Sequence, residues 1–279
     1  MKKNAFSFLV FSISALLCVV ACKQNLLSSK QETKGKIQTL NAASLLQNGI
    51  EIPKGTQWHY TRENQSEIQI TLPEGYAFLL YDHDENTFSI STETDYSCTC
   101  DGNGSCIVVY NSDLGFGCLQ GSCDRQCIGK YVGKPKKNKK TVEGVLYIAN
   151  DMLDAQTQAK ASLTEFGKKG IFQLDSFRNE IKRTYDLIYK YVEKPNFDNP
   201  SDRYVFATCY LYGYEVGIIV PKDENLRKYF PNLQLKDTND KPKSCSCTEG
   251  SGTCKLEKTG LLGYVAYYCT GCKTCTMHF

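Results

Sequence analysis

The chain is poor in the groups that most enzymes use for proton transfer and metal chemistry. Its 279 residues include three histidines, His59, His83 and His278, one tryptophan, Trp58, and three methionines. The histidines are scattered, so no pair is spaced to hold a metal and none stands beside a serine or cysteine nucleophile except His278, near Cys275. No GxSxG, HExxH, P-loop or glycine-rich dinucleotide motif occurs, which removes the common signatures of esterases, zinc proteases, nucleotide hydrolases and dehydrogenases. Charge of one sign is missing too: 33 Lys and Arg against 30 Asp and Glu leave a net +3. That balance supplies no field for nucleic acid. Long apolar runs are absent with one exception, Ala5 to Val20.

That exception follows Lys2 and Lys3, and together they have the layout of an export signal, a positive start and then an apolar stretch too short to span a bilayer comfortably. The run ends in Val19-Val20-Ala21-Cys22. This ending resembles the lipobox of bacterial lipoproteins, over the first 22 residues only. The resemblance implies cleavage before Cys22, a diacylglyceryl group on its sulfur and acylation of its new amine. Lys23, in place of Asp, implies sorting to the outer membrane, facing the periplasm. Several acyl chains anchor firmly, since each buried CH₂ contributes about 0.8 kcal/mol. The membrane is therefore the first expected partner, reached through lipid and not by a spanning segment. A protein or glycan of the envelope is the second, and nucleic acid is not expected.

What the chain has in abundance is cysteine: fifteen residues, twelve of them in two windows. The first window holds Cys98, Cys100, Cys106, Cys118, Cys123 and Cys127, and the second Cys245, Cys247, Cys254, Cys269, Cys272 and Cys275. Each opens with CxC, turns through glycines (Gly102 and Gly104, or Gly250 and Gly252) into a third cysteine, and closes on three more. The order implies an internal duplication. Few large apolar residues lie between the cysteines, so each window needs staples in place of a core. In an oxidising compartment these are disulfides, three per window, with fifteen pairings open in each. The alternative is metal, since CxC and CxxCxxC gather soft ligands suited to zinc, copper or an iron–sulfur cluster. A redox role for Cys269-Thr-Gly-Cys272 or Cys272-Lys-Thr-Cys275 would need a helix to follow and lower the thiol pKa, and the chain offers none there. Cys209 is left over in an apolar run and reads as a buried thiol. No cofactor and no catalytic residue are expected.

The rest divides by composition into a signal peptide (1–21), a polar tether (22–39), a β segment with the first cysteine window (40–133), a basic linker with two helices (134–199) and a second β segment with the second window (200–279). Alternation over Glu67–Leu72 and β-branched or aromatic content over Tyr76–Tyr81, Thr87–Ser91, Arg203–Tyr210 and Tyr214–Val220 predict strands. Gly75-Tyr76 is echoed by Gly213-Tyr214, and Asp84-Glu-Asn86 by Asp223-Glu-Asn225, which extends the duplication beyond the cysteines. Asp82 to Asn86 with Glu93 partly resembles a calcium loop, but Thr87 stands where that loop needs glycine, and an acidic turn explains it as well. A helix capped by Asn150 is expected to carry Met152, Ala155, Ala159, Leu163 and Phe166 to Gly167. A second, capped by Asp175 or Ser176, carries Phe177, Ile181, Tyr185, Ile188 and Val192 and stops before Pro195. The expected fold class is α+β: antiparallel β segments, a helical hairpin and two disulfide-knotted modules.

Overall fold

The structure is a computed structural model that describes residues 35–46, 48–132, 140–149, 161–193, 204–231, 233–236, 243–261 and 264–279. Residues from Lys36 to Phe279 form one compact unit. Its first half runs through β1 (Gln38–Thr39), β2 (Ser44–Leu45), β3 (Glu51–Ile52), β4 (Gln57–Tyr60), β5 (Glu67–Thr71), β6 (Tyr76–Asp82), β7 (Thr87–Ser91), β8 (Glu93–Cys100), β9 (Cys106–Asn111), β10 (Gly115–Gln120), β11 (Cys127–Val132) and β12 (Lys140–Tyr147). Then come β13 (Ser162–Leu163), α1 (Glu165–Gly170), one 3₁₀ turn and α2 (Asp175–Ile188). The second half has β14 (Tyr204–Leu211), β15 (Tyr214–Pro221), α3 (Glu224–Tyr229), β16 (Gln234–Leu235), β17 (Ser244–Glu249), β18 (Lys255–Leu261), β19 (Tyr264–Thr270) and β20 (Thr274–His278).

Every strand pairing is antiparallel. Three larger sheets have the orders β1-β4-β5-β8-β11, β13-β12-β6-β7 and β16-β14-β15-β19-β18. The fold is therefore mostly β, with short helices, and is less evenly mixed than an α+β class suggests.

The middle sheet separates two cores. Because side chains alternate along a strand, Phe78 and Leu80 of β6 enter one core while Leu79 enters the other. The first core gathers Trp58, Ile68, Ile70, Tyr96, Val108 and Phe116. Trp58 meets Tyr60 and Phe116 edge-on, each at 5.5 Å between ring centroids. Burial pushes the Tyr96 hydroxyl up to about 12.

The second core is built on α2. Phe177, Ile181, Tyr185 and Ile188 of its apolar stripe are buried with Val205, Ala207, Val216 and Ile218 of β14 and β15; the helix ends at Ile188, short of the expected run to Val192, which is buried from the turn that follows. Five large apolar side chains here contribute about 1.5–3 kcal/mol each. The hydroxyl of Tyr185 has a second task. It accepts from the Ile219 backbone N–H at 3.1 Å and donates to the Val265 carbonyl at 3.1 Å. Those two residues would face each other in the β15–β19 register, whose regular pairs are Gly217 with Tyr267 and Ile218 with Ala266. The tyrosine inserts where the ladder opens and supplies the missing partners.

The helical hairpin is corrected in part. The first arm's residues 150–160 lie outside the described residues. Beyond them Leu163 belongs to β13, which pairs with Gly144 and Val145. Gly167 lies inside α1 and does not terminate a helix. The cause is Thr164, whose extended backbone and side chain, accepting from the Gly167 N–H at 2.9 Å, start a new helix there. α2 begins as the pattern predicts, except that Leu174 occupies the cap and Asp175 pairs with Arg178 in the first turn. The linker 133–139 and Pro195 also lie outside the described residues.

Candidate functional site

The twelve window cysteines come together as six disulfides. In the first module Cys98 bonds Cys118, Cys100 bonds Cys123 and Cys106 bonds Cys127. In the second, Cys245 bonds Cys269, Cys247 bonds Cys272 and Cys254 bonds Cys275. Both follow one rule, first to fourth, second to fifth, third to sixth. The Cα separations lie between 5.6 and 5.9 Å, within the span a disulfide bridges.

The backbone repeats with the bonds. In each module the CxC strand pairs with the last strand, placing Cys100 opposite Cys127 and Cys247 opposite Cys275. In each, an inner hairpin sets the fourth cysteine against the residue two beyond the third: Cys118 with Val108, and Cys269 with Leu256. Gly104 and Gly252 hold matching positions with φ of +109° and +132°. A Cβ on Gly104 would lie 2.2 Å from the Ser122 carbonyl, and one on Gly252 lies 2.3 Å from that of Gly271. Only glycine fits either place. The duplication inferred from cysteine order thus extends to connectivity, register and turn.

Outside the cysteines it is partial. Gly75 and Gly213 both take positive φ and both lead into a strand, β6 or β15. The second echo does not hold: Asp84-Glu-Asn86 forms the turn from β6 to β7, whereas Asp223 caps α3. The acidic turn also has an occupation of its own. Asp82 is buried, accepts from the N–H groups of Asp84 and Glu85 at 3.0 and 3.2 Å, and lies 3.7 Å from the Lys140 ammonium. Its carboxylate serves the turn.

The modules attach differently. In the first, the CxC strand β8 continues into the large sheet, between β5 and β11. In the second, the inner hairpin's β19 joins the large sheet beside β15, and β17 with β20 forms a separate ribbon. Side chains also hold the second module down. Glu165 of α1 accepts from the Gly271 N–H, and the buried Lys168 donates to the Cys272 carbonyl while pairing with Glu165 at 2.6 Å. Tyr214 donates to the Cys269 carbonyl.

Beside this attachment lie two clefts, of about 230 and 340 Å³, which share Ala161, Leu163, Lys273 and Thr274. The Gly75 carbonyl accepts from Ile148 at 2.7 Å, that of Gly213 from Ala161 at 2.8 Å, and the Tyr147 N–H donates to the Tyr212 carbonyl at 3.1 Å, so the two echoed Gly-Tyr turns are joined through the end of β12. Tyr210, Tyr214 and Glu215 line the smaller cleft, and Glu51, Tyr76 and Glu249 the larger. Burial raises the Glu215 carboxyl above its usual range, an effect that Lys236 partly opposes. Burial, chiefly, also raises Tyr214, with Glu165 adding to the shift. Tyrosine faces, hydroxyls and charges of both signs suit a polar polymer with apolar parts, such as a peptide or a sugar chain.

In each of two sulfur triplets, Cys100, Cys106 and Cys123 in the first module and Cys247, Cys254 and Cys272 in the second, the sulfurs lie within 4.8 Å of one another, close enough in space for one ion per triplet. Each sulfur is committed to a bond in its module, so ligation would require reduction. Cys272 bonds Cys247 and not a neighbour in the closing triplet, which leaves no vicinal exchange pair. Cys209 is the free cysteine among the described residues; it is buried, and burial raises its thiol far above the ordinary range. His278 touches Ser246 on the outer ribbon, while His83 meets Thr141 at 3.2 Å. Cys22 lies outside the described residues. The clefts themselves escape sequence reading, because their walls come from segments far apart in the chain, from Ala161 to Met277 in the smaller and from Gly49 to Thr274 in the larger.

These features define a β-rich protein carrying two copies of one three-disulfide module. Comparison of the chain with protein-family models, with curated proteins and with solved structures finds no match.

Proposed function

We propose that the chain is a lipid-anchored envelope protein that binds a peptide or glycan segment without transforming it. The observation that carries this reading is the set of six disulfides in one repeated pattern, which suits an oxidising compartment and a rigid extracytoplasmic surface. Cys22, at the end of its lipobox-like stretch, is the acylated residue, and the outer membrane's periplasmic face is the place. The cleft between Lys273 and the Gly213 turn is the seat for the partner.

The test is photo-cross-linking in intact envelopes, with a benzophenone side chain at position 273 and, as control, at 258 on β18. A discrete adduct at 273 that is absent at 258, from membranes that release the protein when Cys22 is changed to Ser, supports both halves of the reading. No adduct at either position refutes the binding half, and unchanged membrane attachment in Cys22→Ser refutes the anchor. A second reading, zinc, copper or an iron–sulfur cluster held by the two six-cysteine sets, rests on the sulfur triplets. Alkylation of native protein without reductant separates the two. At most one labelled cysteine fits disulfides; many thiols, or thiols masked until a chelator is added, fit metal.

A further inference from the structure

Among the described residues, each of the three larger sheets ends in two edge strands, and five of the six are protected in a recognisable way. β1, β13 and β16 are two residues long. β11 carries the exposed Lys130, and β18 carries Lys255, Glu257 and Lys258. Short length and charge are the usual devices that keep an edge from pairing with another chain. β7 has neither. It reads Thr87-Phe-Ser-Ile-Ser91, five residues with no charge, proline or glycine. Its Ile90 is 39% exposed, and beside Phe88 stands Phe166, 46% exposed, with ring centroids 5.2 Å apart. Phe88 packs on Gly170 at the end of α1, but the edge of β7 carries neither short length nor charge and stands next to an exposed aromatic ring, a combination that leaves it open to pairing.

We infer that β7 pairs antiparallel with β7 of a second copy of this chain, about a two-fold axis at Ser89. The sequence of the strand is what selects the second copy. With Ser89 opposite itself, Phe88 faces Ile90 of the partner and Ile90 faces the partner's Phe88, both on the face where Phe166 stands. The other face carries only hydroxyls: Thr87 opposite the partner's Ser91, with Ser89 between. An aromatic opposite a β-branched residue is among the favourable cross-strand pairs. The contact is isologous, so it closes on two copies and cannot propagate. Two four-stranded sheets become one of eight strands, and the unguarded edge disappears.

The test uses the full-length chain in detergent. Directly opposed residues of antiparallel strands have Cα atoms about 4.5–5.5 Å apart, within reach of a disulfide. Ser89→Cys should therefore give a covalent dimer under mild oxidation, on a gel run without reductant, whereas Thr259→Cys on the charged edge β18 should not. Wild-type protein should show a dimer mass by light scattering, and Ile90→Lys should shift it to the monomer with an unchanged far-ultraviolet circular dichroism spectrum. If Ile90→Lys fails to fold, the Ser89→Cys cross-link decides alone. A monomeric wild type with no more cross-linking at 89 than at 259 overturns the inference. So does a dimer that ignores Ile90→Lys and does not cross-link at 89, because its interface then lies elsewhere.

Discussion

Cys106–Cys127 and Cys254–Cys275 close loops of the same sequence separation, 21, in the two modules. Replacing both members of one bond by alanine removes the cross-link without leaving a thiol to reshuffle. The chain-entropy expression gives about 3.4 kcal/mol for a loop of this size, and the two bonds that remain shorten the effective loop, so about 2–3 kcal/mol is expected from the unfolded state. That part is equal for the two variants. The native part is not, because Cys106 is 1% exposed within the core that holds Trp58, whereas Cys254 is 8% exposed outside it. Truncating a sulfur in the packed core adds about 1 kcal/mol. Cys106→Ala/Cys127→Ala should therefore lose about 3–4 kcal/mol and Cys254→Ala/Cys275→Ala about 2–3, read from urea unfolding by circular dichroism and by fluorescence of the sole tryptophan. A loss under about 1 kcal/mol in either variant would refute the view that these bonds hold the modules together. A larger loss in the second module than in the first would refute the packing argument.

Two other perturbations test particular contacts. Tyr185→Phe removes the hydroxyl between Ile219 and Val265 and leaves two backbone groups without it. It should cost about 1–3 kcal/mol in the same assay, and a neutral effect would mean that the β15–β19 ladder closes by itself. Glu215→Gln tests the cleft acid. Because burial raises its folded pKa, the carboxyl favours folding below its unfolded value and opposes folding as pH rises through the folded one. The glutamine variant should thus melt above wild type at neutral pH and converge with it under acid; a gap that widens on acidification would contradict the direction of the shift.

Much of this fold is legible in the chain, for reasons that differ by element. The α2 stripe reads well because Phe177, Ile181, Tyr185 and Ile188 keep helical spacing along one face and are buried, although the helix stops before Val192. The strands at Glu67–Thr71, Tyr76–Asp82 and Tyr214–Pro221 read well because alternation marks the first and aromatic, aliphatic or β-branched residues dominate the other two. Helix α1 does not, since Leu163 and Phe166 fit a helical period while Thr164 sets a boundary between them. The inner hairpins of the modules are obscured by the surrounding glycines and polar residues. Their signal is Ile107-Val-Val-Tyr110 and Val265-Ala-Tyr-Tyr268, short β-forming runs inside polar windows. Disulfide connectivity is beyond sequence reading because fifteen arrangements satisfy the same six cysteines, and even strand register does not select one, since Cys100 and Cys127, or Cys247 and Cys275, stand opposite each other without bonding. The clefts are legible only once Ala161, Leu163 and Lys273 share one place.

The interleaved bonding of the modules also determines what a protease can achieve. A single cut anywhere between Cys98 and Cys127, or between Cys245 and Cys275, falls inside at least one closed loop, so no fragment leaves. The severed chain keeps its mass until a reductant is added. Nicking at an exposed turn such as Asn111–Leu114 would thus mark the surface without dismantling it, and the protein could outlast the integrity of its own backbone.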